Sequence, residues 1–295
     1  MSSPRLASER VYGARYRIIG PLERAAESLW LADDLEQSKR CIVQLVMSWG
    51  GSSVRPESWR RLSEPERVDV QERLGAAVRH EVERRAFRHP AVLQPTQVIP
   101  DIFTPEAPEH SGVPVAIVCG FNRRGASLLS LSDTWNSLVR QVLAETLEAL
   151  DAMHAAEHVH AALSPETIFV VSNPKGHFEP RIGGLFCQPK PSIASGEWVH
   201  GAAVYRAPEQ LEASGVVGAA TDLWSFGLLA TRVLTGRLPY AQSVGGSGMS
   251  RPRDLSVHSP DLSRVEPSLR EAVRGCLDPE PSNRPNASEL VGIFA

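Results

Sequence analysis

The chain has 295 residues, 42% of them hydrophobic and 22% charged, with a formal net charge of −3. That balance suits a globular protein with a sizeable core and argues against a basic nucleic-acid-binding face. No apolar run approaches the ~20 residues of a membrane span.

In chain order, Met1 to Val11 is polar and lacks the apolar core of a signal peptide, so residues 1–12 are expected to form a flexible N-terminus. Tyr16–Leu22 and Leu29–Ala32 read as two strands of a hairpin, and Cys41–Val46 as a third apolar strand. Residues 48–62, rich in Ser, Gly, Arg, Pro and Trp, read as a loop insertion. Ser63 and Glu66 have capping-box spacing. Val70, Leu74, Val78 and Val82 then recur on one face of a helix that Gly75 is expected to break or bend. Val92–Ile99 and Val115–Cys119 read as further strands, and Val139, Leu143, Leu147 and Leu150 as a second helical stripe. Thr167–Val171 and Pro180–Ile182 flank an Asn-Pro-Lys-Gly turn. The run Leu223–Leu234 is apolar nearly all round and reads as a buried helix. Leu269, Val273 and Leu277 mark a late amphipathic one.

The four cysteines, at 41, 119, 187 and 276, lie far apart with no C-x-x-C pair. They read as reduced thiols in a cytosol, not as a zinc site or disulfides. Three lysines (39, 175 and 190) stand against 28 arginines, a bias that suggests a bacterial genome rich in G and C.

The segment His160-Ala161-Ala162-Leu163-Ser164-Pro165-Glu166-Thr167 resembles the catalytic loop H-R-D-L-K-P-E-N of eukaryotic-type protein kinases. Other motifs follow in the family's order. Gly201 to Gln210 resembles G-T-x-x-Y-x-A-P-E, and Asp222 to Gly227 resembles D-x-W-S-x-G. Thr235 to Tyr240 resembles T-G-x-x-P-F, and Arg284 stands in an N-R-P context. Upstream, His89-Pro90 resembles the turn after the αC helix. The style is that of bacterial Ser/Thr kinases. The resemblance implies an α+β fold of two lobes in one kinase-like domain. An antiparallel N-lobe sheet with an αC helix would span 13–121, and a mainly helical C-lobe 122–295.

The same resemblance implies that the chemical positions are degenerate. Gln44 stands where a Lys would hold the nucleotide phosphates. Arg24 and Arg40 are the substitutes weighed for it. His80, with Glu81 beside it, stands where the αC Glu would be. Ala162 replaces the base, Thr167 the metal-binding Asn, and Gly184 the D-F-G Asp. The segment Glu23 to Ser28 holds no glycine and two carboxylates where phosphates would lie. Leu22, Leu29, Ile42, Cys119, Phe121 and Phe169 line a vestigial adenine pocket that Ile42 and Phe169 fill. Ala161 removes the Arg that would read a phosphorylated segment, so Ser192 and Ser195 read as surface serines. Glu209 with Arg284, and Asp222 with the backbone around His160, are implied as structural contacts.

The resulting expectation is a catalytically inactive pseudokinase, not an enzyme, that acts as a cytoplasmic protein-interaction scaffold. It carries no metal site and no cofactor, binds ATP weakly or not at all, and has unidentified protein partners and no nucleic acid. Trp59 in the insertion is a candidate interface anchor. The alternatives are a nucleotide-sensing module that binds ATP without metal, or an atypical Ser/Thr kinase using displaced residues. Asp101, Asp133 and Asp151 are the carboxylates considered for the latter.

Overall fold

Alternating apolar residues build the first sheet. The computed structural model describes residues 11–12, 15–21, 29–46, 48–49, 52–53, 61–84, 87–99, 115–120, 125–128, 136–172, 177–183, 203–211, 215–240 and 259–295. The chain divides into two compact units, one of residues 1–88 and 93–124, the other of 89–92 and 125–295.

In the first unit, strands β1 (Val11–Tyr12), β2 (Tyr16–Pro21), β3 (Leu29–Asp34) and β4 (Lys39–Val46) pair in sequence. β4 then pairs with Val115–Gly120, which pairs with Pro95–Ile99, and every pairing is antiparallel. Tyr16, Ile18, Trp30, Ala32, Cys41, Val43, Ile99 and Val118 form its core. Apart from Cys41 and Val43, Ile42 is also buried, so β4 is covered on both faces. The sheet curls: Tyr16 of β2 donates its hydroxyl to Gln97 Oε1 at 2.5 Å, although their strands sit far apart in the pairing order. Residues expected to be loop in the insertion include two short strands paired antiparallel, β5 (Ser48–Trp49) with β6 (Ser52–Ser53). Trp59 lies outside the described residues.

The helix α1 (Glu64–Arg84) starts where Ser63 donates both its backbone N–H (2.8 Å) and its hydroxyl (2.6 Å) to Glu66. Leu74 and Val78 are buried beneath it. The expected break at Gly75 does not occur, and the helix runs through it unbroken, because one glycine costs only ~1 kcal/mol against a packed face. Among the strands, Val92 is also corrected. It leaves the first sheet and bridges Ile182 in parallel, while the Ile182 N–H donates to Ala91 O at 2.6 Å. The Pro95–Ile99 strand, β7, therefore begins three residues later, and Val115–Gly120 is β8.

The β3–β4 turn is set by one carboxylate. Asp34, nearly buried, accepts from Arg15 Nε (2.8 Å) and Nη2 (2.7 Å) and from the Glu36 and Gln37 amides. The Arg15 guanidinium holds the Asp34 carboxyl below its ordinary range. A folded pKa below the unfolded one gives stability that is present above about pH 4 and lost as pH falls through the folded value. Asp34→Asn is therefore expected to lower the melting temperature at pH 7, and the gap to wild type should close as pH drops below about 4. A gap that stays constant with pH would show that the carboxylate is not stabilised by folding.

The second unit carries a three-stranded antiparallel sheet, in the order β11 (Phe178–Ile182), β10 (Ile168–Ser172), β9 (Gly125–Ser127). Its helices are α2 (Asn136–Ala155), α3 (Ala219–Thr235), α4 (Pro267–Cys276) and α5 (Ala287–Phe294). Val139, Leu143, Leu147 and Leu150 of α2 are all buried, as their three- and four-residue spacing requires. α3 is buried along its length from Thr221 to Thr231. Gly227 allows that burial, since a Cβ there would meet Cys276 at 2.8 Å. α3 ends at Gly236, whose φ of 73° suits glycine. Asn286 opens α5, accepting from the Glu289 amide at 3.0 Å while Glu289 takes the Asn286 N–H. Cys41, Cys119 and Cys276 are free and buried, and burial pushes each thiol up to about 12. Cys187 is outside the described residues. Among the described residues no helix is long and apolar enough to cross a membrane.

Candidate functional site

Loop 160–167 follows α2 within the second unit, and its geometry comes from one buried carboxylate. Asp222, at the start of α3, accepts from the His160 N–H (Oδ2, 2.9 Å) and the Ala161 N–H (Oδ1, 2.7 Å). His154, in the last turn of α2, places its Nε2 2.9 Å from the same carboxylate. Two successive amides reach one carboxylate because Ala161 is left-handed, with φ 59°. Such a residue costs about 1–2 kcal/mol, and charge-assisted bonds offset it.

His160 is fully buried. Its Nδ1 accepts from the Ala162 amide (3.2 Å), so its Nε2 carries the proton and donates to Gly183 O (2.8 Å). This bond ties the loop to the end of β11. The Gly183 N–H in turn donates to Thr167 O at 2.7 Å.

Thr167 closes the loop on itself. Its hydroxyl accepts from the Ser164 amide at 3.0 Å and donates to Ser164 O at 3.0 Å, and it is 1% exposed. The family's magnesium would need oxygen ligands at positions 167 and 184. The Thr167 oxygen is committed, and Gly184 has no side chain. These residues do not fit that metal.

Glu166 stands apart from the other acids. Burial pushes its carboxyl above the ordinary range, and neighbouring Ser164 and Arg232 pull it part of the way back. Among the described residues, its Oε2 is buried and meets no hydrogen-bond partner. Burial, with the Glu166 charge adding to it, also raises the Tyr205 hydroxyl, which Arg232 engages.

The turn over 203–211 docks on this frame. Glu209 meets Arg284 through two bonds, 2.7 Å to Oε1 and 3.0 Å to Oε2, and takes the Thr221 hydroxyl at 2.9 Å. Arg284 also caps Asp278 O (2.8 Å) and Ala220 O (2.9 Å), with its guanidinium 5.0 Å from the Trp224 ring centre.

The remaining residues singled out from the sequence are placed as follows. Ala162 is buried, and Phe169 is buried in β10. In the first unit, Ile42 pairs with Cys119 across β4 and β8, both buried, and Leu29 pairs with Gln44. His80 is exposed on α1. Arg40 pairs with Asp33 at 3.7 Å, and Asp151 is half-buried on α2. Leu22, Arg24, Asp101, Phe121, Asp133, Gly184, Ser192 and Ser195 lie outside the described residues. Sequence reasoning missed His154 and Gln210. His154 lies six residues before His160, and Gln210 follows Glu209, but nothing in spacing alone marks either.

Comparison with known proteins places this frame. The family model of the protein kinase domain matches residues 123–293. The chain is 31% identical over 156 residues to the probable serine/threonine-protein kinase PkwA of Thermomonospora curvata, covering 52% of this chain and 20% of that one. It is 32% identical over 165 residues to the serine/threonine-protein kinase pkn2 of Myxococcus xanthus, covering 52% and 20%. It is 28% identical over 155 residues to the inactive serine/threonine-protein kinase PLK5 of Mus musculus, covering 52% and 25%. The chain therefore spans a quarter or less of the length of these relatives.

The expectation that the chain is not an enzyme is corrected by these relatives, which are named in the main as serine/threonine kinases. The physical reason lies in how the reaction is catalysed. Phosphoryl transfer rests on positioning and charge spread over many groups, so a missing side chain at one motif position does not fix what its neighbours supply. With the domain match covering more than half of its length, the chain belongs to the protein kinase family.

Proposed function

We propose that the chain is an atypical serine/threonine protein kinase that works with displaced residues. One observation carries this reading: Glu166, on the loop itself, is approached by Ser164 but keeps a buried Oε2 that accepts no hydrogen bond among the described residues. The other two carboxylates of the frame are committed, Asp222 to two amides and His154, Glu209 to Arg284 and Thr221. A carboxyl whose pKa is raised by burial is, once ionised, a better proton acceptor than an ordinary one. In this role Glu166 takes the proton of the acceptor hydroxyl as its oxygen attacks the terminal phosphorus of a nucleoside triphosphate. The bond from that phosphorus to the bridging oxygen breaks, and the diphosphate leaves.

The test is labelling of a mixed Ser/Thr peptide library from terminally labelled ATP, with and without divalent metal. Wild type is expected to label it. Glu166→Gln should fall by about 10²–10⁴-fold, and the exposed control Glu148→Gln should match wild type. The rate should rise with pH through the raised Glu166 value, because the base acts only when deprotonated. Absence of labelling by wild type would overturn the kinase reading.

A second reading, metal-independent nucleotide sensing, is favoured by Thr167, whose hydroxyl is committed to Ser164. It expects ATP to raise the melting temperature equally with and without magnesium. A shift that appears only with magnesium would sink it.

A further inference from the structure

Ala161 is a non-glycine residue held at φ 59°, a region an L-residue leaves unless something retains it. It is retained at both ends. Its N–H donates to Asp222 at 2.7 Å, and its carbonyl accepts from Gln210 Nε2 at 2.7 Å. Gln210 is 2% exposed and spends its side-chain amide in two directions, because its Oε1 accepts from the Ala207 N–H at 3.0 Å. The Gln210 N–H donates back to Ala207 O at 3.0 Å. One neutral side chain thus joins loop 160–167 to the turn over 203–211.

We propose that Gln210 is a positioning residue that clamps this loop to that turn without any phosphate on the chain. The inference rests on the kinase reading of the loop, and it deepens that reading by making loop placement constitutive. The chemistry supports independence from phosphate. At position 161 the side chain is a methyl group, which offers no charge to a phosphate. The Gln210 bonds are neutral at every pH where the protein folds. Removing the amide strands two buried groups, the Ala161 carbonyl and the Ala207 N–H, each of which then lacks the side-chain partner that served it.

The test is hydrogen exchange read by mass spectrometry on the full chain, with and without phosphatase treatment. Wild-type peptides across 158–168 and 203–211 should be equally protected in both samples. Gln210→Met should exchange about tenfold faster in both segments, while peptides over 267–294 stay unchanged. Its phosphotransfer kcat should fall with the KM for nucleotide held. If Gln210→Met loosens 267–294 as well, Gln210→Glu supplies the local reading, because it keeps the acceptor for Ala207 and removes the donor to Ala161. That variant should speed exchange at 158–168 more than at 203–211. Unchanged exchange in the variants, or loss of wild-type protection after phosphatase, overturns the clamp. The exchange measurement stands apart from catalysis. A wild type that labels nothing therefore defeats the kinase reading, while the exchange result still decides the clamp.

Discussion

Arg284→Met is expected to destabilise the second unit by about 3–5 kcal/mol, the range for breaking one partner of a buried ion pair. The Arg284 side chain is fully buried and meets Glu209 in a two-bond fork. Its loss leaves the Glu209 carboxylate with the Thr221 hydroxyl alone among those contacts, and it uncaps Asp278 O and Ala220 O. The Trp224 ring also loses the cation above it. For a unit of this size the melting temperature should drop by roughly 10 °C. Arg284→Lys keeps the charge but not the planar fork, and should recover only part. The double variant Glu209→Leu with Arg284→Met should be more stable than Arg284→Met alone, since it no longer buries an uncompensated charge. Urea denaturation of the four proteins measures this. A midpoint for Arg284→Met equal to that of wild type would mean the pair contributes nothing to folding.

The second large effect is expected at Asp222. Asp222→Ala strands two buried amides, of His160 and Ala161, and removes the partner of His154. Each stranded buried amide costs about 1–3 kcal/mol, so the total should be about 3–5 kcal/mol. The damage should also be directional. Without the carboxylate, the left-handed Ala161 has lost one of its two restraints, so loop 160–163 should open before the helices do. Asp222→Asn keeps an oxygen for one amide but turns an NH₂ toward another donor, and should lie between the two. Native-state hydrogen exchange of the His160 and Ala161 amides reads this. If Asp222→Ala leaves those amides protected, another group holds the loop.

Much of the architecture could be read before any coordinates. The strands around Tyr16, Leu29 and Cys41 follow from short apolar runs, the helices around Leu74 and Leu143 from three- and four-residue spacing, and the helix around Leu223 from a run apolar nearly all round. These patterns are local, so a short window contains the whole signal. The family could be read for a related reason, since motif residues such as His160, Asp222 and Arg284 occur in a fixed order along the chain. Besides the strand pair in the insertion, two local expectations failed where packing outweighed propensity. Gly75 did not break α1, and Val92 gave its pairing to Ile182.

The partner of each buried polar group could not be read in this way. Gln210 reaches Ala161 across 49 residues, Asp222 reaches His160 across 62, and Arg284 reaches Glu209 across 75. Spacing carries no signal over such separations, because the partner is chosen by how sheet and helices pack. Resemblance named Asp222, Glu209 and Arg284 as contacts, but not the left-handed Ala161 that lets one carboxylate take two amides. Thr167 shows the same division. Its letter marked a lost amide side chain, while the fold put its hydroxyl to use in closing the loop on Ser164. The letter Glu166 kept its family identity, yet its raised carboxyl comes from burial that no sequence window contains. Patterns within one turn of helix or strand are written in the order of residues, whereas the environment of a buried charge exists only once distant segments have closed around it.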